Sequence, residues 1–246
     1  PKLVIDAAFE VFFNSSPVTA NTDVKLSLST DFFNDSIPKV TNATVFVTDF
    51  TNNTIINFSD NNLEGNYQPT TTFIPEDDIN YELTVIYENE TYKSTTTKTK
   101  SAPITDIKQG DKTLFTGTET EIEVRFTDNA DVENFYLFDF TDTNFLAIED
   151  RFFNGTDYRF SYFFNEDEIE LPTSITIKMS GITKEYFTYF RVLIDQSGQD
   201  GGGPFETIPS TLLGNIINTT NDDNFPLGYF HISESDTFTV DLVNKN

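Results

Sequence analysis

The sequence predicts a mainly β protein: an N-terminal immunoglobulin-like or transthyretin-like β-sandwich followed by a second β-rich domain with one amphipathic helix. Three observations predict it. Short segments alternate apolar and polar residues with period two, which means one buried and one wet face. Asn, Asp, Gly and Pro turns punctuate those segments at short spacing. Thr, Val, Ile, Phe and Tyr dominate the periodic runs, and these residues favour strands. Only 37% of the 246 residues are hydrophobic, but 26 Phe and 10 Tyr bury large areas per residue, so a packed core is expected.

In chain order, Ala8 to Phe13 is apolar and reads as the first strand. Val24, Leu26 and Leu28 alternate with Lys25, Ser27 and Ser29, and Val45 and Val47 alternate with Thr44, Phe46 and Thr48. Ile55 to Phe58 is a short strand, and Tyr81, Leu83, Val85 and Tyr87 alternate again. Ser94 to Lys100 reads as an edge strand running into a linker at Ala102-Pro103, which divides the chain into domains 1–103 and 104–246. Beyond it, Ile122, Val124 and Phe126 alternate with charges, Asn134 to Phe140 reads as a central strand, and Tyr158 to Phe164 and Ile175 to Met179 are further strands. Then the period changes. Ile182, Tyr186, Phe187, Phe190, Leu193 and Ile194 share one face of a helix spanning 183–197, with Thr183 as N-cap and Ser197-Gly198 as its end. Gly201-Gly202-Gly203-Pro204 reads as a linker or a lid, and 229–232 and 238–242 as closing strands.

The inventory excludes several chemistries. There is no cysteine and one histidine, so a thiol nucleophile, a Cys/His zinc cage and a multi-histidine metal site are ruled out. A net charge of −25 repels phosphate backbones, so nucleic acid is not an expected partner. No apolar run reaches the roughly 18–20 residues of a membrane-spanning helix. Residue 1 leads straight into Leu3-Val4-Ile5, as expected of a processed, mature segment.

Individual candidates are weak. Asp139 and Asp142, and Asp222 and Asp223, supply hard oxygen ligands at spacings that suit calcium, without the glycine and terminal glutamate of a calcium loop. The Glu166-Asp167-Glu168 run reads as an exposed loop, and His231 as a hydrogen-bonded strand histidine with no nucleophile elbow to serve. No catalytic residue and no cofactor are expected. The rings of Phe135, Tyr136, Phe152, Phe153, Tyr162 and Phe163 belong to a dense aromatic cluster. Either its sheet is buried on both sides or one aromatic face meets a partner.

Several ordered motifs run through most of the chain: Pro1-Lys2-Leu3-Val4-Ile5-Asp6, Val40-Thr41-Asn42-Ala43-Thr44-Val45 with Asp49, Gly65-Asn66-Tyr67, Tyr81-Glu82-Leu83-Thr84-Val85, and Thr91-Tyr92. They continue with Asn134-Phe135-Tyr136, Asp150-Arg151-Phe152-Phe153-Asn154-Gly155, Thr183-Lys184-Glu185-Tyr186, Asn215-Ile216 and Leu227-Gly228-Tyr229-Phe230. In this order they resemble a Bacteroidota outer-membrane lipoprotein family of unknown function. The resemblance implies a non-enzymatic lipoprotein on the extracellular face, anchored by a lipid on a cysteine upstream of Pro1. Genes of that family often sit beside SusC-like TonB-dependent receptors. An accessory role on such a transporter, or in barrel-assembly machinery, is therefore implied, with a surface glycan- or peptide-binding protein as the alternative. In such a phylum, Asp35-Ser36-Ile37 fits an O-glycosylation site at Ser36.

Overall fold

A computed structural model of the chain describes residues 1–30, 36–130, 132–141, 144–197 and 212–244. The strands are β1 (Leu3–Phe12), β2 (Thr19–Asn21), β3 (Val24–Leu28), β4 (Thr44–Asp49), β5 (Thr54–Ser59), β6 (Asn66–Pro69), β7 (Tyr81–Tyr87), β8 (Glu90–Thr96) and β9 (Lys98–Thr99). They continue as β10 (Ile104–Gln109), β11 (Thr120–Thr127), β12 (Phe135–Thr141), β13 (Asn144–Glu149), β14 (Asp157–Phe164) and β15 (Thr173–Ile182). Helix α1 (Lys184–Ser197) follows, then β16 (Ile217–Asn218) and β17 (Leu227–Leu242). The expected mainly β class with one helix is the fold observed.

The chain forms two compact units. Unit 1 gathers Pro1–Val11, Ser15–Thr99 and Thr188–Glu234; unit 2 gathers Phe12–Asn14, Lys100–Phe187 and Ser235–Asn246. This corrects the division into 1–103 and 104–246. The first crossing falls close to the expected linker, but the segment from Thr188 to Glu234 returns to unit 1. Its return is built on pairing that sequence periodicity does not reveal: β16 adds to β8, and Ile232 and Ser233 of β17 pair in parallel with Lys98 and Thr99.

In unit 1 the pairing order is β1-β3-β6-β5-β4-β7-β8-β16, with β2 on β1. Strict alternation buries Leu3, Ile5, Ala7, Phe9 and Val11 of β1. These pack in one core with Val45 and Val47 of β4, Phe58 of β5, and Tyr81, Leu83 and Val85 of β7, so the pairing path folds back on itself as a sandwich. Phe9 is at its centre. Its ring centroid lies 6.0 Å from Phe58, 6.2 Å from Phe73 and 5.3 Å from Phe230. Gly228, at φ +101°, is required by close approach, because a Cβ there would sit 2.0 Å from the Ile5 carbonyl oxygen.

Unit 2 pairs β13-β12-β15-β17 in one sheet and β10-β11-β14 in another. Tyr136, Phe138 and Phe140 of β12 meet Phe126, Phe160, Tyr162 and Phe164 of the second sheet, and the Phe140 and Tyr162 rings stack at 3.9 Å. Thr183 caps α1 as expected, its Oγ1 accepting from the Tyr186 backbone N–H at 3.1 Å.

β17 is one strand of 16 residues where two were expected. The polar stretch from Ser233 to Thr237 breaks the apolar pattern, yet Ser233, Ser235 and Asp236 are buried. Two of these side chains are satisfied inside unit 2: Ser235 Oγ shares a hydrogen bond with Ser180 Oγ at 2.8 Å, and the Asp236 carboxylate accepts from the Ile104 N–H at 2.7 Å. β2, β6, β10, β13 and β16 were not foreseen, being short runs without a clean period.

Phe9→Ala is expected to lower stability by about 3–5 kcal/mol, because the cavity would sit among rings that cannot collapse. Urea unfolding followed by far-ultraviolet circular dichroism measures it; a loss below ~1 kcal/mol would contradict the central position of this ring.

Candidate functional site

The sequence-predicted aromatic surface lies mostly inside unit 2. Phe135, Tyr136 and Phe153 are buried, so the partner-surface assignment is corrected for these residues. The physical reason is pairing and layering: Tyr136 faces the second sheet, Phe135 is covered by Phe187 of α1 at 5.0 Å, and Phe153 stacks on Tyr158 at 3.8 Å. Tyr162 and Phe163 are half-buried, and the Tyr162 hydroxyl accepts from Asn144 Nδ2 at 3.1 Å. Phe152 alone among the six is exposed, at 89%.

Phe152 stands on a turn held from below by two carboxylates. Asp150 accepts from the Asn134 N–H at 2.8 Å. Asp128 accepts from the Gly155 N–H at 2.8 Å and from the Tyr136 hydroxyl. Burial, then the hydrogen bond to Asp128, drives the Tyr136 hydroxyl pKa well up, so it stays a donor. Burial also raises the Asp150 carboxyl. Gly155 has φ +70°, and a Cβ there would crowd the Ala130 Cβ at 2.9 Å. With Phe153 anchored in the core, its neighbour Phe152 must point out, and the Arg151 guanidinium lies 5.5 Å from its ring centre.

A second loop, residues 110–118 between β10 and β11, was missed by sequence reasoning. Its centre is the Glu119 carboxylate, which accepts four backbone N–H groups: Leu114 at 3.1 Å, Phe115 at 3.1 Å, Thr116 at 2.9 Å and Gly117 at 3.0 Å. These bonds, led by that from Thr116, pull the Glu119 carboxyl down to about 2. Glu121 holds the loop's other flank, accepting from the Lys112 N–H at 2.7 Å, from Lys112 Nζ at 3.1 Å and from Ser161 Oγ at 2.6 Å. Burial pushes the Glu121 carboxyl up, but the bonds from Ser161 and Lys112 outweigh it and leave it below its ordinary value. At the tip, Phe115 is 99% exposed and Leu114 is half-exposed. The signal that points to them is two apolar residues standing alone between Gly110 and Gly117, with no periodic partner.

The two loops sit at opposite ends of the β11–β14 pair, since Thr120 pairs with Phe164 and Thr127 with Asp157. Each presents one exposed phenylalanine ring. The turn-forming carboxylates accept the loops' backbone N–H groups, so the rings stand on an ordered frame.

The calcium candidates do not come together. Asp139 pairs with Lys178 at 3.4 Å, and Asp142 lies outside the described residues. Asp222 and Asp223 are exposed on a turn whose amides converge on a different carboxylate. Asn218, Asn221 and Asn224 all donate side-chain N–H groups to Glu90, at 2.9, 3.0 and 2.5 Å. Tyr92 first, then these amides, lower the Glu90 carboxyl to about 2. Among the described residues, no group of three or more His, Cys, Asp or Glu is arranged to hold a metal ion. Ser36 is exposed, while Asp35 and the triple glycine lie outside the described residues. His231 is buried in β17, its Nδ1 3.1 Å from Ser233 Oγ, and Glu166 to Glu168 are exposed.

Fold and loops together define a two-unit, mainly β protein whose surface loops are closed by carboxylates. The chain belongs to the family described as Domain of unknown function (DUF4249), whose profile matches residues 1–239. No curated protein matches it. Among solved structures, the selenomethionine-substituted chicken interferon gamma receptor alpha chain is similar at 9% identity, with a TM-score of 0.23, over 74% of this chain and 89% of that one.

The pH dependence of the loop has a defined sign. Glu119 titrates near 2 in the fold, against an ordinary 4.5, so its stabilisation is complete above about 4.5 and fades as pH falls toward 2. Glu119→Gln is therefore expected to lower Tm at neutral pH, and the gap to wild type should close on acidification. Differential scanning calorimetry across pH checks this; a gap unchanged by pH would contradict it.

Proposed function

We propose that this chain is a non-enzymatic cell-surface lipoprotein that acts as an accessory subunit of an outer-membrane β-barrel complex, either a SusC-like TonB-dependent transporter or barrel-assembly machinery. In this reading, a lipid on a cysteine upstream of Pro1 tethers it to the extracellular face. The observation that carries the reading is the pair of phenylalanines held out on carboxylate-closed loops, Phe115 at 99% and Phe152 at 89% exposure. A large ring left in water gains none of the free energy that burial would supply. Docked into a partner's apolar pocket, such a ring is the kind of anchor that dominates interface energy. Because its loop is already ordered, little entropy is lost on docking. The net charge of −25 favours a partner face that is neutral or basic around those pockets.

The second reading, a surface protein that captures glycan or peptide directly, draws on the same exposed rings, which stack on sugar faces. It differs in requiring the isolated chain to bind on its own, as a glycan array would detect.

The test is purification of the tagged native protein from its own membranes in mild detergent. A β-barrel protein is expected to co-purify, and Phe115→Asp with Phe152→Asp should reduce its recovery by about tenfold or more. Recovery of a lone monomer, or release from membranes by a salt wash without detergent, would contradict the proposal.

A further inference from the structure

Unit 1 contains a cleft of about 540 Å³ on the outward face of β1, β3 and β6, lined among others by Asp6, Lys25, Ile37, Lys39 and Glu64. That size is within the range of small-molecule sites. The cleft belongs to unit 1, whereas the two ring-bearing loops belong to unit 2.

Two of the cleft's lining residues are lysines. With 40 acidic and 15 basic residues, a lysine has abundant choice of partner. Lys93, Lys98, Lys108, Lys112, Lys178 and Lys184 each pair with a carboxylate. Among the described residues, Lys25 and Lys39 form no ion pair, although both line this cleft. Lys25 is opposite Asp6 in the β1–β3 register without closing on it.

Local backbone geometry explains how the two ammonium groups come to share one cleft. The edge of β3 that faces away from β1 is bonded at Leu26 by both Gly65 and Val40: the Leu26 N–H donates to the Gly65 carbonyl at 2.8 Å, and the Val40 N–H donates to the Leu26 carbonyl at 3.1 Å. Gly65 has φ +72°, and a Cβ there would come within 2.5 Å of the Leu26 oxygen and 3.3 Å of the Lys39 Cβ. The absence of a side chain at 65 is what lets Lys39 close over β3.

The opposing charges define what fits. Asp6 and Glu64 line the same cleft. A polyanion would meet two carboxylates and the chain's negative field, and a simple cation would meet two lysines. A ligand bearing one charge of each sign satisfies both pairs. Val4 and Ile37, the latter 66% exposed, offer an apolar surface beside them.

We propose that this cleft binds a small zwitterion with an apolar side chain, the chemistry shared by a free apolar amino acid and a short peptide. Its carboxylate faces Lys25 and Lys39, and its ammonium faces Asp6 and Glu64.

The test is a titration of the ¹⁵N-labelled full chain, followed by amide shifts of Ser27, Lys39, Gly65 and Asn66. The probes are L-leucine, L-alanyl-L-leucine, that dipeptide with its carboxylate amidated, the dipeptide with its amine acetylated, and inorganic phosphate. Saturable shifts are expected with leucine or the free dipeptide, and the tighter of the two identifies the source. Blocking either end should weaken binding by at least about fivefold. The double variant Lys25→Gln, Lys39→Gln should bind about tenfold more weakly with the rest of the spectrum unchanged. Glu64→Gln, at an exposed position, should weaken the free dipeptide but not its acetylated form. The proposal is overturned if no zwitterion gives saturable shifts up to about 20 mM, if phosphate or the blocked forms bind as well, or if the variants bind as wild type does.

Discussion

A carboxylate oxygen receiving backbone N–H groups is the bond that recurs in several of the described loops of this chain. Loops have amide hydrogens without ladder partners, and leaving them buried and unpaired is costly. A carboxylate offers several acceptor sites, and its charge makes each bond stronger than a neutral one. Glu119 closes one loop of unit 2, and Asp128 and Asp150 close another. In unit 1, Asp49 accepts from the Thr51 and Asn52 N–H groups, and Asp60 from those of Glu64 and Gly65. A chain with far more acids than bases cannot neutralise them all with cations. Here a substantial share of them is used as internal acceptors.

The consequence for function follows from rigidity. Phe115 and Phe152 are exposed because the backbone beneath them is already committed. Glu119 holds four successive amides of one loop, and Phe153 pins the other by stacking on Tyr158. The dense ring cluster of unit 2 is therefore the foundation from which the two outward rings stand. Burial of Tyr136, Phe138 and Phe140 removes them from any contact surface but fixes the sheets from which the loops emerge.

Much of the fold could be read from the residues. Period-two alternation located β3, β4, β7 and β11, and the change of period with Thr183 before it located α1 and its cap. What escaped did so for physical reasons. β1 begins at Leu3, five residues before the stretch from Ala8 to Phe13, because Asp6 sits on its wet face. β17 stays continuous through Ser233 to Thr237 because partners elsewhere in the chain satisfy those polar groups, and no local pattern records such partners. The return of the segment from Thr188 to Glu234 to unit 1 likewise depends on pairing across long separations. At the candidate site, the sequence offered six rings, and burial separated the one outward residue from the rest. Phe115 lies in a stretch with no period at all, and only the convergence of its loop amides on Glu119 reveals a prepared surface.

Amide hydrogen exchange at neutral pH is the most direct measure of whether carboxylates lock these loops. The Leu114, Phe115, Thr116 and Gly117 amides lie in a loop that opens to solvent, so an unlocked backbone would exchange them at close to the rate of an unstructured peptide. Protection of all four, comparable to that of neighbouring β11 amides and lost together in Glu119→Gln, is the expected result. Free exchange in the wild type, or protection that survives the substitution, would contradict the carboxylate-locked loop.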